Sequence, residues 1–372
     1  MTCDKCEESK EQGYKFCPVC GTPLTKGCVY CAQYEKEGYE YCGKCGNRLE
    51  PRSASDAPPA APATQDPLRM APLAGMPFFL ILLGIYIIAL IVNIGSAWDA
   101  VSQGGLDMIV LTPGLSVIGT LTGIGLQTYF ILILIALLAS VALVMYQSRG
   151  LFDPRGKDVS DAEKTPLYWI ILLFCGNLIL SIILVLMQFA FGFQLDTSLD
   201  LDSMDIGEMI VSMMNAAVWE EIACRVLWIG VPMALLALCY GKKDFLRNLL
   251  GGFGMSRYAL ILLVISSLVF GYAHLENWSA AKFIPTMIGG FIMGYLYIRF
   301  GIHAAIFYHF FTDFLLVSMD FAGETITAAV MLVLMVVGLV CLVSVLMRIH
   351  NGVKEIPGLP VTGMDQDDSR NP

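Results

Sequence analysis

Glu220 and Glu221 are adjacent carboxylates, with Arg225 four positions beyond the second, in a largely apolar region running from Val211 to Tyr240. A charge at mid-membrane costs about 2.5 kcal/mol or more, so such groups turn to the protein interior and usually mark function. On a helix Glu221 and Arg225 share a face, which suits an internal ion pair. Glu220 points about 100° away from its neighbour. One acid is then neutralised and the other left free for chemistry. Ala217 and Cys224 are small and leave space above and below the Glu220 carboxylate. A carboxylate in an apolar setting takes up a proton readily and can return it to a leaving amine, which is the work of a general base and then a general acid.

Few other ionisable groups lie in apolar segments. His274 ends one segment, and His303, His309 and Asp313 lie in another. His309 and Asp313 are four apart, on one helix face. Phe270 and His274 have the same spacing, which lets the phenyl ring pack beneath the imidazole. Polar groups confined to three segments fit three helices meeting around one wet cavity. A single histidine of this kind reads as a satisfied core residue; the set reads as a site, with an ion-pair staple or a proton path as competing readings. Glu220, His274, His309 and Asp313 also make a ligand set for a catalytic metal, although no His-Glu-x2-His helix is present. Cys175, Cys224, Cys239 and Cys341 are scattered and expected to pack as small apolar residues. His303 and His350 read as interfacial.

The elements that must position these groups are membrane helices. The chain has 372 residues, of which 56% are hydrophobic and 15% charged, the signature of a polytopic membrane protein with a soluble appendage. Eight apolar segments follow one another at about 76–97, 115–146, 167–193, 206–240, 258–275, 283–299, 302–318 and 326–347. The fourth is too long for one straight span, and Pro232 is the candidate kink. The Gly-rich start of the second reads as re-entrant or interfacial. Gly290 and Gly294 form a small-xxx-small pair suited to close helix packing. Basic residues mark alternate loops: Arg149, Arg155, Lys157 and Lys164; Lys242, Lys243, Arg247 and Arg257; Arg299; Arg348 and Lys354. The intervening loops carry Asp99, Asp107, Asp196, Asp200, Asp202, Asp205, Asp320 and Glu324, with Lys282 as the one base. Eight spans with both termini in the cytosol satisfy the positive-inside rule. No apolar run precedes about residue 76, so no signal peptide is expected. The protein is expected in the cell membrane, embedded in the lipid bilayer.

Residues 1–50 hold eight of the twelve cysteines, as Cys3-x2-Cys6, Cys17-x2-Cys20, Cys28-x2-Cys31 and Cys42-x2-Cys45. The second set repeats the first 25 positions on, and Gly13-Tyr14 recurs as Gly38-Tyr39, Gly21 as Gly46 and Leu24 as Leu49. Two Cys-x2-Cys knuckles supply four thiolates in a tetrahedron, so 3–24 and 28–49 read as two closed, structural zinc sites. Metal binding supplies the folding energy that modules this small lack. A disulfide framework is disfavoured in reducing cytosol. Nine Lys/Arg against ten Asp/Glu in the first 75 residues give no electrostatic case for nucleic acid. Residues 51–75, with six prolines among alanines, read as a semi-extended linker. The fold class is an all-α polytopic membrane protein of about eight transmembrane helices, with a small β-rich double zinc-ribbon module at its N-terminus. A membrane domain at 76–350 and a cytosolic tail at 351–372 complete it.

Taken in order, Glu220-Glu221-x3-Arg225, Phe270-x3-His274 and His309-x3-Asp313 resemble the three-motif signature of the CPBP family. That family comprises the type II CAAX prenyl proteases and the bacteriocin-processing or self-immunity (ABI) proteins. The run from Gly301 to His309 resembles the approach to the third motif, and the cysteine pattern resembles the double zinc ribbons of many archaeal and bacterial proteins. The resemblance implies an intramembrane endopeptidase acting on a membrane-associated, prenylated or unprenylated, protein or peptide. Glu220 would be the base that activates water, and His274 would help hold that water. Glu221 and Arg225 would be structural support, and His309 with residue 313 would stabilise the oxyanion. The third motif usually ends in Asn. An ionised Asp313 would repel an oxyanion, so Asp313 is protonated, or orients His309, or belongs to a metal site; the family's older description is as metalloproteases. The alternative class is a non-catalytic immunity or scaffold protein whose ribbons recruit a cytosolic protein partner. A transporter with an Arg–Glu–His relay has only the charges in its favour.

Overall fold

The computed structural model describes residues 3–11, 17–20, 66–112, 114–153, 159–192, 203–242, 244–275 and 279–358. The chain forms two compact units, Met1–Thr64 and Gln65–Pro372. The first includes helix α1 (Cys6–Glu11), with Cys6 and Cys17 buried beside it. Cys28, Cys31, Cys42, Cys45 and the strands expected of the ribbons lie outside the described residues.

The second unit is a helical bundle. Its first helix, α2 (Pro67–Val92), starts inside the stretch read as linker. Asp66 caps it by accepting from the Leu68 N–H at 3.0 Å, and Pro67 opens it where a missing N–H does no harm. A short helix α3 (Ile94–Gln103) and a hairpin of β1 (Gly105–Thr112) and β2 (Gly114–Thr122) follow. Then come α4 (Gly123–Gln147), α5 (Pro166–Ala190), the continuous helical segment α6 (Ile206–Cys239), α7 (Arg257–Ala273), α8 (Phe283–Phe300), α9 (Ile302–Ala322) and α10 (Glu324–Glu355).

The hairpin corrects the expectation for the second apolar segment. Its first eight or so residues are strand, not helix or re-entrant helix, in keeping with the Val, Ile and Thr on either side of the Pro113-Gly114 sequence. The strands are antiparallel, and the register skips Ile118, which is the extra residue on β2 between the pairs Met108–Gly119 and Ile109–Val117.

Seven helices (α2, α4, α5, α6, α8, α9 and α10) are long and apolar enough to cross a membrane, and the chain is an integral membrane protein. α7, with 17 residues, is shorter than the eighth span expected of it. The helix ends show how α7 runs within the bundle. Glu163 receives Arg69 from the start of α2 at 2.9 and 2.6 Å and Arg348 from late α10 at 2.6 Å. Its carbonyl accepts from the Trp169 indole in α5 at 2.7 Å and from Arg299 near the end of α8 at 3.3 Å. Burial pushes the Glu163 carboxyl up, but hydrogen bonds and charge from Arg69 and Arg348 outweigh it and hold the group at about 2. These four ends therefore share one side of the bundle. The turn after α6 joins them, since the Gly252 N–H donates to the Tyr297 carbonyl at 2.9 Å. α7 starts beside the end of α8 and must carry the chain to where α8 begins. At 1.5 Å per residue it covers only about 26 Å, so it stops short of a full hydrocarbon core of about 30 Å. It stops at His274.

α9 runs through the middle. Phe79 stacks on Phe311 with centroids 3.6 Å apart, Tyr86 packs on Phe310, Phe311 and Phe314, and Phe174 packs edge-on to Phe311. This aromatic packing from α2 and α5 fixes the rotation of α9 and leaves His309 facing α6 and α7. Gly301, at φ 113°, makes the reversal between α8 and α9 in a conformation that a side chain would strain.

Candidate active site

The centre of α6 is not an α-helix. Two π-helical stretches, Ala216–Glu220 and Ile222–Gly230, flank Glu221, and regular α-helix resumes over Val231–Cys239 with Pro232 near its start. The irregularity expected at Pro232 thus lies on the motif itself, with the proline at its end. Wide turns of this kind recur at functional sites. They also leave backbone carbonyls for other partners: Cys224 accepts from the Ser266 hydroxyl of α7 at 2.9 Å. On the same segment the Trp219 indole donates to the Ile109 carbonyl of β1 at 2.7 Å.

Glu221 and Arg225 are fully buried, with Arg225 Nε 3.2 Å from Glu221 Oε2. That contact is in ion-pair range but off the hydrogen-bond direction, so Glu221 Oε2 and Arg225 Nε and Nη1 have no hydrogen-bond partner. The guanidinium lies 4.3 Å from the Phe270 ring centroid, and Nη2 donates to the Gly290 carbonyl at 3.2 Å. Gly290 is a close-packing position as expected. A Cβ there would come within 3.2 Å of Ser267 Cα and the Phe270 ring. The glycine therefore does two things: it lets α7 and α8 approach, and it bares the carbonyl that Arg225 uses.

His309 joins the motifs. Its Nδ1 is 2.8 Å from Glu221 Oε1, and its Nε2 is 3.2 Å from Asp313 Oδ2 and 3.9 Å from Glu220 Oε2. Both ring nitrogens face carboxylate oxygens. The Glu220 side chain is 34% exposed where Glu221 is 0%, so the first of the adjacent acids is part-exposed and the second faces the interior. His274 Nδ1 is 2.9 Å from the Phe270 carbonyl, its ring 4.7 Å from the Phe270 centroid, which leaves Nε2 available. The Phe270 ring lies 4.7 Å from the His274 ring, 6.1 Å from the His309 ring and 4.3 Å from the Arg225 guanidinium, so all three motifs meet at one place. His303 lies away from them, bound to Gln147 Oε1 through Nε2 at 2.9 Å.

Three contributors escaped the sequence reading. Trp219 ties the hairpin to the motif. Ser266 fills a carbonyl freed by the wide turn. Lys282, noted only as a stray base, closes the short turn Ala280–Lys282 that leads into α8. Its signal was its position, alone on the acidic side and just after the His274 segment.

The site does not fit a metal. Among the described residues one group of three or more donor atoms lies mutually within 4.8 Å, and it consists of Cys3, Cys6, Cys17 and Cys20. Glu220, His274, His309 and Asp313 do not converge in this way. The cysteines do: neighbouring Sγ atoms are 3.6, 3.6 and 3.4 Å apart. Zn–S bonds of 2.3 Å in a tetrahedron call for about 3.8 Å. The full chain is expected to hold about two zinc ions, and Cys6→Ser about one fewer, by elemental analysis of protein purified without chelator. An unchanged zinc content in Cys6→Ser would refute the first site.

Residues 202–315 match the family model for type II CAAX prenyl endopeptidase Rce1-like domains, and residues 3–46 match the double zinc ribbon. Among curated proteins and solved structures nothing matches the chain. The first matched segment is of intramembrane-protease type and contains Glu220, Glu221, Arg225, His274, His309 and Asp313.

Proposed function

We propose that the membrane unit is an endopeptidase that hydrolyses a peptide bond of a membrane-associated protein or peptide with water activated by Glu220. The observation that carries this reading is the division of labour between adjacent acids. Glu221 is fully buried between Arg225 and His309, and Glu220 stands 34% exposed beside His309 Nε2. Glu220 takes a proton from water as the oxygen attacks the carbonyl carbon, and returns it to the nitrogen as the C–N bond breaks. His274, its Nδ1 anchored on the Phe270 carbonyl, offers Nε2 to the water. His309, held between Glu221 and Asp313, supplies positive charge to the developing oxyanion. Asp313 orients His309 by accepting from Nε2 at 3.2 Å. Of the three roles open to Asp313, this one has a contact behind it.

The substrate class follows from the matched domain family, with a prenylated C-terminal tail as the first candidate. The basic loops and the arginines around Glu163 support a topology with both termini in the cytosol. There the zinc ribbons are available to a cytosolic protein partner.

The test is cleavage by detergent-solubilised protein of a prenylated C-terminal peptide and of an unlipidated membrane-spanning peptide. Failure on both overturns the peptidase reading. Within an active enzyme, Asp313→Asn keeps an acceptor for Nε2 and should retain activity within about tenfold. Asp313→Ala should lose about 10²–10³ in kcat, the size of effect expected from misplacing one oxyanion-stabilising group. Equal losses in the two variants would exclude the positioning role.

A further inference from the structure

We propose that the outer edge of β1 is the docking strand for the peptide to be cut, which adds to it in extended form and is thereby laid across Glu220. The proposal rests on the peptidase reading and names how that site holds its substrate.

The hairpin is bound to the site itself. The Trp219 indole, one residue before Glu220, donates to the Ile109 carbonyl at 2.7 Å. β1 also touches the Ile222–Gly230 stretch that carries Arg225 and the helix α7 that ends before His274. Strand, base and histidine helix are therefore neighbours.

The edge is chemically suited to a peptide. Among the described residues the sheet has two strands, and β1 pairs there with β2 on one side alone. In antiparallel pairing a residue turns its N–H and C=O to the same side, and the side alternates along the strand. The extra residue Ile118 sits on β2, so β1 keeps an unbroken alternation. The Ile109 carbonyl is turned outward, to Trp219. By period two the backbone groups of Gly105, Asp107 and Leu111 turn outward with it. An unpaired strand edge is not tolerated against lipid and survives at membrane depth only where it lines a cavity or is paired. An extended peptide supplies the missing donors and acceptors through its backbone, whatever its side chains. The same extended form exposes a scissile carbonyl to attack.

Distances give a direct test. An added strand lies about 4.8 Å from β1, inside the Cα separation of about 4.4–6.8 Å that a disulfide spans. The same strand is about 9–10 Å from β2, beyond that reach. The experiment uses the full chain with Glu220→Gln, so that peptide is not consumed, carrying either Asp107→Cys or Val117→Cys. The probe is a set of membrane peptides with one cysteine moved through the residues flanking the scissile bond, each activated as a thiopyridyl mixed disulfide. Attack by the enzyme thiolate on the peptide sulfur forms the new S–S bond and releases thiopyridone, so no oxidant is needed. We expect an adduct, mapped to position 107 by mass spectrometry, in alternate peptide registers and at least about tenfold more than at 117. Equal yields at the two positions, no adduct at 107, or an adduct at every register would overturn the proposal. With the enzyme unaltered at 220, N-methylation of a peptide residue that forms the adduct should raise KM severalfold with little change in kcat; an unchanged KM also overturns it. If adducts form at 107 in register and the unaltered enzyme cuts none of these peptides, the peptidase reading falls and the docking strand stands.

Discussion

Glu220→Gln is expected to abolish peptide cleavage, lowering kcat by about 10²–10⁴, while the protein unfolds at the same temperature as the parent. The amide has the size of the carboxylate but cannot take the proton of water. Folding should not notice the change. Glu220 is 34% exposed, its nearest charged neighbour is His309 Nε2 at 3.9 Å, and Glu221 rather than Glu220 faces Arg225. The neighbouring substitution is the control. Glu221→Gln leaves the candidate base in place but weakens the ion pair and the acceptor of His309 Nδ1. It should lower thermal stability and activity together. Cleavage by Glu220→Gln at a rate near that of the parent would remove Glu220 from the mechanism. A fall in its melting temperature as large as that of Glu221→Gln would show that the two acids are not divided between chemistry and support.

The site was more legible in the sequence than the frame around it. Rare charges in apolar surroundings stand out by cost alone, and i,i+4 spacing named the Glu221–Arg225 and His309–Asp313 pairs that lie 3.2 Å apart. The first pair persists although the helix there has wide turns, because the arginine side chain is long enough to absorb the change. The wide turns themselves had no signature, since a π-helix keeps the same apolar composition as an α-helix. The hairpin was hidden for a related reason. β2 runs into α4 with no polar break between Thr122 and the helix, and a short apolar run does not distinguish strand from helix by period. Only Pro113-Gly114 marked it. The linker expected at 51–75 runs nine residues into α2, because prolines such as Pro67 and Pro72 suggest extended chain. Asp66 and the tolerance of a first turn for proline make Pro67 the start of α2, and Pro72 lies inside that helix. The shortness of α7 is a matter of three-dimensional packing: it ends at His274, whose ring lies against Phe270.

Arg225→Met is expected to cost about 3–5 kcal/mol of stability, the usual penalty for removing one member of a buried ion pair. The guanidinium is fully buried, and three neighbours depend on it. Glu221 would keep its charge with His309 alone, the Gly290 carbonyl would lose its donor, and the face of Phe270 would lose the cation 4.3 Å away. Arg225→Lys should fall between parent and Met, because an ammonium keeps the charge but cannot reach Glu221 and Gly290 together as the planar fork does. The decisive variant is Glu221→Gln with Arg225→Met. Removing both charges relieves the unpaired carboxylate, and stability should recover to within about 1–2 kcal/mol of the parent. Activity should not recover, because His309 Nδ1 then faces a neutral amide and Nε2 loses the orientation and charge that serve Glu220. Denaturant unfolding in mixed micelles, read beside cleavage rates, separates the two effects. Recovery of both would reduce Glu221–Arg225 to a dispensable staple. Recovery of neither would mean that Arg225 acts mainly through Gly290 and Phe270, holding α7 and α8 together, and that its charge matters less than its shape.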